Sequence, residues 1–168
     1  MKMIENLIKQ HKVAVVCIIL LVLLLGVLLW FYKPCCWFNQ DSTFAGNSNI
    51  KEVTAQNGTV QIPMSEINDG TMQYYKYNVD GVWVRFFTIR ASDGSIRTAF
   101  DACLVCGDDG YYKNGNVVVC KKCRMNIDID DVGIISGGCN PIPLEYQTTS
   151  LEVIIEVSEL ENGRQYFE

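Results

Sequence analysis

Three features of the chain predict a mostly-β protein. The expected architecture is a single N-terminal transmembrane helix followed by a small extracytoplasmic β domain with a zinc-ribbon-like double Cys-x-x-Cys site. Beyond residue 57, short apolar runs are punctuated by Asn-Gly and Asp-Gly pairs, the patterning of hairpins. Near the N-terminus one uncharged stretch is long enough to cross a bilayer. In the second half, two Cys-x-x-Cys motifs stand close together.

Residues 1–12 carry Lys2, Lys9 and Lys12 against Glu5, and Val13 to Tyr32 then runs twenty residues without a charge. As a helix this is about 30 Å, the thickness of the hydrocarbon core. Trp30, Phe31 and Tyr32 close it as an interfacial aromatic belt. Positive charge before the segment predicts a cytoplasmic N-terminus (1–12), an anchor in the lipid bilayer (13–32) and export of the remainder across the cell membrane. A cleaved signal peptide is the alternative, against which stand the long apolar region and the distant, poor site at Thr43-Phe44-Ala45. Residues 33–57 read as a polar linker. Its adjacent Cys35 and Cys36 are open to acylation, to a cross-link making a dimer, or to an ordinary interfacial role. Cys17 reads as apolar filling.

The domain at 58–168 reads as strands. Thr59 to Ile62 ends at Pro63 and so belongs at an edge. Thr71 to Val79 puts Tyr75, Tyr77 and Val79 on one face, and Asp80-Gly81 turns it into Val82 to Ile89. That strand is apolar on both faces, which predicts the centre of the sheet. Asp93-Gly94 leads to Ile96–Phe100, and Tyr111 to Val119 forms a further hairpin turning at Asn114-Gly115. Leu151 to Val157 is a β-branched strand, Gly163 to Phe167 is expected to pair with a neighbour, and Ser65 to Asp69 suits one helical turn.

The cysteines carry the chemistry. Cys103-Leu-Val-Cys106 is followed after thirteen residues by Cys120-Lys-Lys-Cys123, and Cys139 follows in Gly-Gly-Cys-Asn-Pro. A Cys-x-x-Cys turn aims two sulfurs at one point, and two such turns facing each other suit zinc, iron or an iron–sulfur cluster, with copper a lesser option. The Tyr111–Val119 hairpin is expected to fold Cys120 back beside Cys106, with Lys121, Lys122 and Arg124 offsetting thiolate charge. Thiol–disulfide redox pairs and structural disulfides are the competing readings. Cys139 stays open between a ligand, a second-ion site, a redox partner and a buried thiol.

Other classes recede. The net charge of -5 argues against nucleic acid as a partner. The single histidine, His11, lies before the anchor, so the exported domain cannot assemble Ser-His-Asp or Cys-His catalysis. Asn126-Ile-Asp-Ile-Asp-Asp131 resembles a calcium loop, but Asp131 and Gly137 stand where glycine and glutamate are needed, so a solvated loop is expected.

Phe86-Phe87, Asp93-Gly94, Ala99-Phe-Asp-Ala-Cys103-x-x-Cys106, Gly110-Tyr-Tyr112, Val119-Cys120-x-x-Cys123 and Gly137-Gly-Cys-Asn-Pro-x-Pro-Leu144 resemble the FtrD-like family of bacterial membrane iron–sulfur-containing proteins over roughly residues 58 to 146. The resemblance implies metal residues Cys103, Cys106, Cys120, Cys123 and Cys139. It also implies an iron–sulfur cluster or iron and a partner in a membrane transport or redox complex. The expected function is extracytoplasmic electron transfer or metal handling linked to iron transport, more a carrier than an enzyme. A zinc-stapled interaction module and an exported thiol–disulfide oxidoreductase are the alternatives.

Overall fold

Asp80 and Gly81 take φ of 49° and 90°, the pair of left-handed residues a two-residue I′ hairpin demands. They join β3 (Gln73–Val79) to β4 (Val82–Arg90) in the register Val79↔Val82 to Gln73↔Thr88. This hairpin is the middle of a four-stranded sheet in the order β1-β3-β4-β5, with β1 (Ile50–Glu52) parallel to β3 and β5 (Ile96–Phe100) antiparallel to β4. β4 is therefore interior, as its two apolar faces predict.

The computed structural model describes residues 23–24, 49–67 and 70–168. The chain divides into two units, Met1–Trp37 and Phe38–Glu168. In the first, only the helical Leu23 and Leu24 are described, so the expected cytoplasmic segment, nearly all of the anchor, and Cys17, Cys35 and Cys36 lie outside the described residues. Among the described residues no helix is long and apolar enough to cross a membrane.

A second sheet, β2-β10-β9, has β10 (Glu152–Glu156) between β2 (Thr59–Pro63) and β9 (Gln147–Thr148). Pro63 lacks an amide hydrogen to donate and lies on an edge strand, as expected. Between the two sheets lies the core: Val60 and Ile62, Tyr75 and Val79, Val84 and Phe86, Phe100, Val153 and Ile155. Tyr75 and Phe86 stack with centroids 5.3 Å apart. Odd-numbered Phe87 on β4 points the other way and meets Tyr74 and Tyr111 at 6.3 and 6.0 Å. The core thus occupies one face of β4, and the cysteine-bearing hairpin is tied to the other.

That hairpin, β6 (Tyr111–Asn114) and β7 (Val117–Cys120), turns at Gly115-Asn116, one residue later than expected. A third strand, β8 (Asn126–Asp128), completes its sheet where a solvated loop was expected. The acidic run is used for local ties: the Asp128 carboxylate accepts from the Asp130 amide at 3.0 Å, and Asp130 accepts from the Ser92 amide at 2.7 Å. β1 also lies within the stretch read as linker, and Val53 and Ala55 pack against the core.

The expected strand at Gly163–Phe167 is not one. β10 runs into a helix, α1 (Val157–Gly163), whose Leu160 is fully buried, and a 3-10 turn over Arg164–Tyr166 follows. Tyr166 and Phe167 then pack on Phe100 with centroids at 5.8 and 6.3 Å. The β-branched run ends at Val157, and Ser158-Glu-Leu-Glu161 favours helix once Leu160 can be buried. Gly163 is required by contact: a Cβ there would overlap the Phe100 ring. Gly163→Ala is expected to destabilise the domain by about 1–3 kcal/mol through overpacking. The measurement is the thermal midpoint. Leu151→Ala, at a position 74% exposed, should stay within about 0.5 kcal/mol of wild type.

Candidate metal centre

Three loops converge on the cysteine site, the first two delivered by strands. β5 ends at Phe100, and Asp101-Ala102 carries the chain to Cys103. The first knuckle closes by hydrogen bonds from the Cys103 amide to Gly107 O (2.9 Å) and from the Gly107 amide to Cys103 O (3.0 Å). Within it the Cys106 amide donates to Cys103 Sγ at 3.1 Å, placing a positive dipole on the sulfur.

The second knuckle repeats this design from β7. The Cys120 amide donates to Met125 O (3.1 Å) and the Arg124 amide to Cys120 O (3.0 Å). Gly107 and Arg124 occupy equivalent places, and both are left-handed, at φ 72° and 62°. Glycine adopts that conformation freely, whereas arginine is strained in it. Arg124 was expected to offset thiolate charge; its guanidinium donates to Tyr112 Oη at 3.3 Å. Lys122 Nζ donates to Cys106 O at 3.2 Å and pairs with Asp109 at 3.0 Å, tying the two knuckles together.

Register brings the knuckles face to face. Tyr111 is the partner of Cys120 across β6 and β7, and the Lys121 amide donates to Gly110 O at 2.9 Å. Cys139 arrives by a route the sequence did not reveal. Residues 142–144 run antiparallel along β5: the Phe100 amide donates to Ile142 O (2.8 Å), the Ile142 amide to Ala102 O (3.1 Å), and Ala99 bridges Pro143. Thr98 Oγ1 donates to Leu144 O at 2.6 Å, and Tyr111 Oη donates to Cys139 O at 2.8 Å.

The result is two triads of sulfurs. Cys103, Cys106 and Cys120 lie within 4.8 Å of one another, as do Cys106, Cys123 and Cys139. Cys106 belongs to both, and its Sγ is 4.0 Å from that of Cys139. Four of the five cysteines are buried and Cys123 is partly exposed, and none of the five is in a disulfide. Each triad can hold a metal ion through one sulfur per residue. The structural-disulfide alternative finds no support in these free thiols.

Protonation differs sharply among these groups. Burial pushes the Cys120 thiol up to about 11, against the opposing Cys123 and Lys122 amides. Burial also acts upward on Cys123, but the Met125 amide and the sulfurs of Cys139, Cys120 and Cys106 hold it below the ordinary thiol value. Burial, then the Cys103 sulfur, drives the Tyr111 phenol far above its usual range. Tyr111 is therefore a neutral donor beside the cysteines at any physiological pH.

Asp101 is a supporting residue that sequence reasoning passed over, although it lies only two positions before Cys103. It is 3% exposed and accepts the Tyr111 amide at 2.8 Å, and its Oδ2 lies 3.9 Å from Arg85 Nε. It fills the space at Gly110, where an added Cβ would lie 2.6 Å from Oδ2. The carboxylate thus orients the start of β6 and, through the Tyr111–Cys120 pair, the second knuckle.

A family model described as membrane iron-sulfur containing protein FtrD-like matches residues 67–167, a span that takes in β3 to β10, all five cysteines and α1. No curated protein and no solved structure matches the chain.

Burial raises the Asp101 carboxyl from 3.8 to about 6, against the lowering effects of Lys121, the Tyr111 amide and Arg85. Its folded form holds the proton more tightly than the unfolded chain does. The resulting stabilisation is complete below about pH 4 and is lost as pH rises through about 6. In denaturant unfolding across that window, wild type should lose on the order of 2–3 kcal/mol relative to Asp101→Asn. Proton competition at the thiols is common to both proteins and cancels in the difference. A flat difference would show that Asp101 is not held this way.

Proposed function

We infer, from the premise that the chain belongs to the FtrD-like family, that it is a membrane-anchored metal-handling protein. In this reading residues 13–32 are the anchor, the β domain lies outside the cell membrane, and the cysteine site serves an iron transport or redox complex. The observation that carries it is the gathering of Cys103, Cys106, Cys120, Cys123 and Cys139 into two sulfur triads that share Cys106. Buried thiols at this spacing repel one another once ionised, and a bound cation offsets that repulsion.

The family description names iron and sulfur, and the sulfur spacing bears on how iron would be held. In either common cluster, any three terminal thiolates include two on different irons. Bonds of about 2.3 Å to irons in a sulfide-bridged core set those sulfurs roughly 6 Å apart. Each triad here keeps its three sulfurs within 4.8 Å. No single triad can therefore serve as three ligands of a sulfide-bridged cluster, which would draw its thiolates from both; three sulfurs this close suit direct ligation of one ion, iron or zinc.

A second reading draws on Cys123, which is partly exposed and held below the ordinary thiol value first against burial, by the Met125 amide and the neighbouring sulfurs. These are the attributes of an attacking thiol in disulfide exchange. The distinction is experimental. Elemental analysis of anaerobically purified full-length protein should find iron or zinc bound, and Cys106→Ser, which takes a sulfur from both triads, should lower metal content at least tenfold. Metal-free wild-type protein that traps a mixed disulfide as Cys106→Ser would favour exchange chemistry instead.

A further inference from the structure

The two triads are not equivalent. Cys103, Cys106 and Cys120 are all buried, at 4, 4 and 1% exposure. Tyr111, itself 1% exposed and paired with Cys120 in the sheet, stands beside them. Cys106 and Cys139 are buried in the other triad, but Cys123 reaches solvent. Its flanks are open too: Met125 is 43% exposed, and Ile134 and Ile135, shortly before Cys139, are 64 and 44% exposed. Among the described cysteines of the site only Cys106 belongs to both groups.

We propose that the cysteines hold two metal ions joined by the Cys106 thiolate. An inner, closed ion is held by Cys103, Cys106 and Cys120, and an outer, exchangeable ion by Cys106, Cys123 and Cys139. The proposal rests on the reading of the site as metal-binding and adds the number of ions, the division of ligands and the route of exchange.

Three arguments carry it. The first is spacing. Three sulfurs at about 2.3 Å from one ion lie about 4 Å from each other, and Cys106 Sγ and Cys139 Sγ are 4.0 Å apart. The second is charge. One divalent ion among five thiolates leaves about three uncompensated negative charges, whereas two ions leave about one, a far smaller cost in a buried site. The third is coordination. Three protein sulfurs leave a fourth position free on each ion, and sites that exchange or react keep such a position where closed structural sites do not. For the outer ion that position adjoins the exposed Cys123 and can admit an incoming ligand; for the inner ion burial denies access. The ligand class is a borderline or soft divalent ion such as iron(II) or zinc.

The test uses zinc as the probe on the full chain, stripped of metal and reloaded under anaerobic, reducing conditions. Native mass spectrometry and elemental analysis should give two zinc ions per chain. A chelator chase should remove one ion at least tenfold faster than the other. Cys139→Ser should bind one ion and lose the fast phase alone. A single ion in saturated wild type, two ions still held by Cys139→Ser, or release in one phase would each overturn the two-ion site while leaving metal binding intact. No bound zinc in wild type would overturn the metal reading itself. Should Cys139→Ser fail to fold, the wild-type stoichiometry and release kinetics decide alone.

Discussion

The constraint on which the rest depends is the approach of five cysteine sulfurs to within bonding reach of common points. No one segment achieves it. The first knuckle hangs from β5, the second from β7, and Cys139 from a stretch pinned along β5 by the Phe100, Ala102 and Thr98 hydrogen bonds. Each loop is held by backbone pairing, so the sulfurs meet because strand register leaves them no other place. Tyr111 joins the three: its amide is held by Asp101, its neighbour across the ladder is Cys120, and its hydroxyl holds the Cys139 carbonyl.

The same crowding governs protonation. Burial favours neutral thiols, whereas knuckle amides favour thiolates, and the balance falls differently at Cys120 and Cys123. On the proposed reading, metal entering the triad of Cys103, Cys106 and Cys120 would have to displace the Cys120 proton, which would link binding to acidity. Tyr111 contributes a fixed neutral dipole, since burial and the nearby sulfur keep its proton in place. The site is built from thiols, amides and one phenol. That donor set suits holding and releasing soft ions more than proton-transfer catalysis.

The β domain is the platform for this. β4 presents Val84 and Phe86 to a core shared with β2 and β10 and presents Phe87 to Tyr111. A strand buried on both sides couples the rigidity of the core to the placement of the cysteine hairpin. The segment after α1 adds to this by packing the tilted rings of Tyr166 and Phe167 on Phe100, three residues before Cys103.

Much of this was legible in the residues. The Asp80-Gly81 turn, the interior place of β4 and the edge place of β2 follow from local rules of turn chemistry, two-faced apolarity and proline's missing donor. The closing of the Cys-x-x-Cys loops toward each other follows from the hairpin between them. Where the reading failed, local composition alone did not decide: β8 is a strand because Asn126–Asp128 meets the free edge of β7, and α1 is a helix because Leu160 finds a place in the core. The sequence by itself determined the hairpins and the sulfur-bearing turns, since both depend on residues a few positions apart. Only the tertiary structure decided that Cys139 joins the cluster, that Asp101 is buried beneath it and that the sulfurs divide into triads sharing Cys106. Those outcomes depend on pairings between segments distant in the chain, which spacing and composition do not encode.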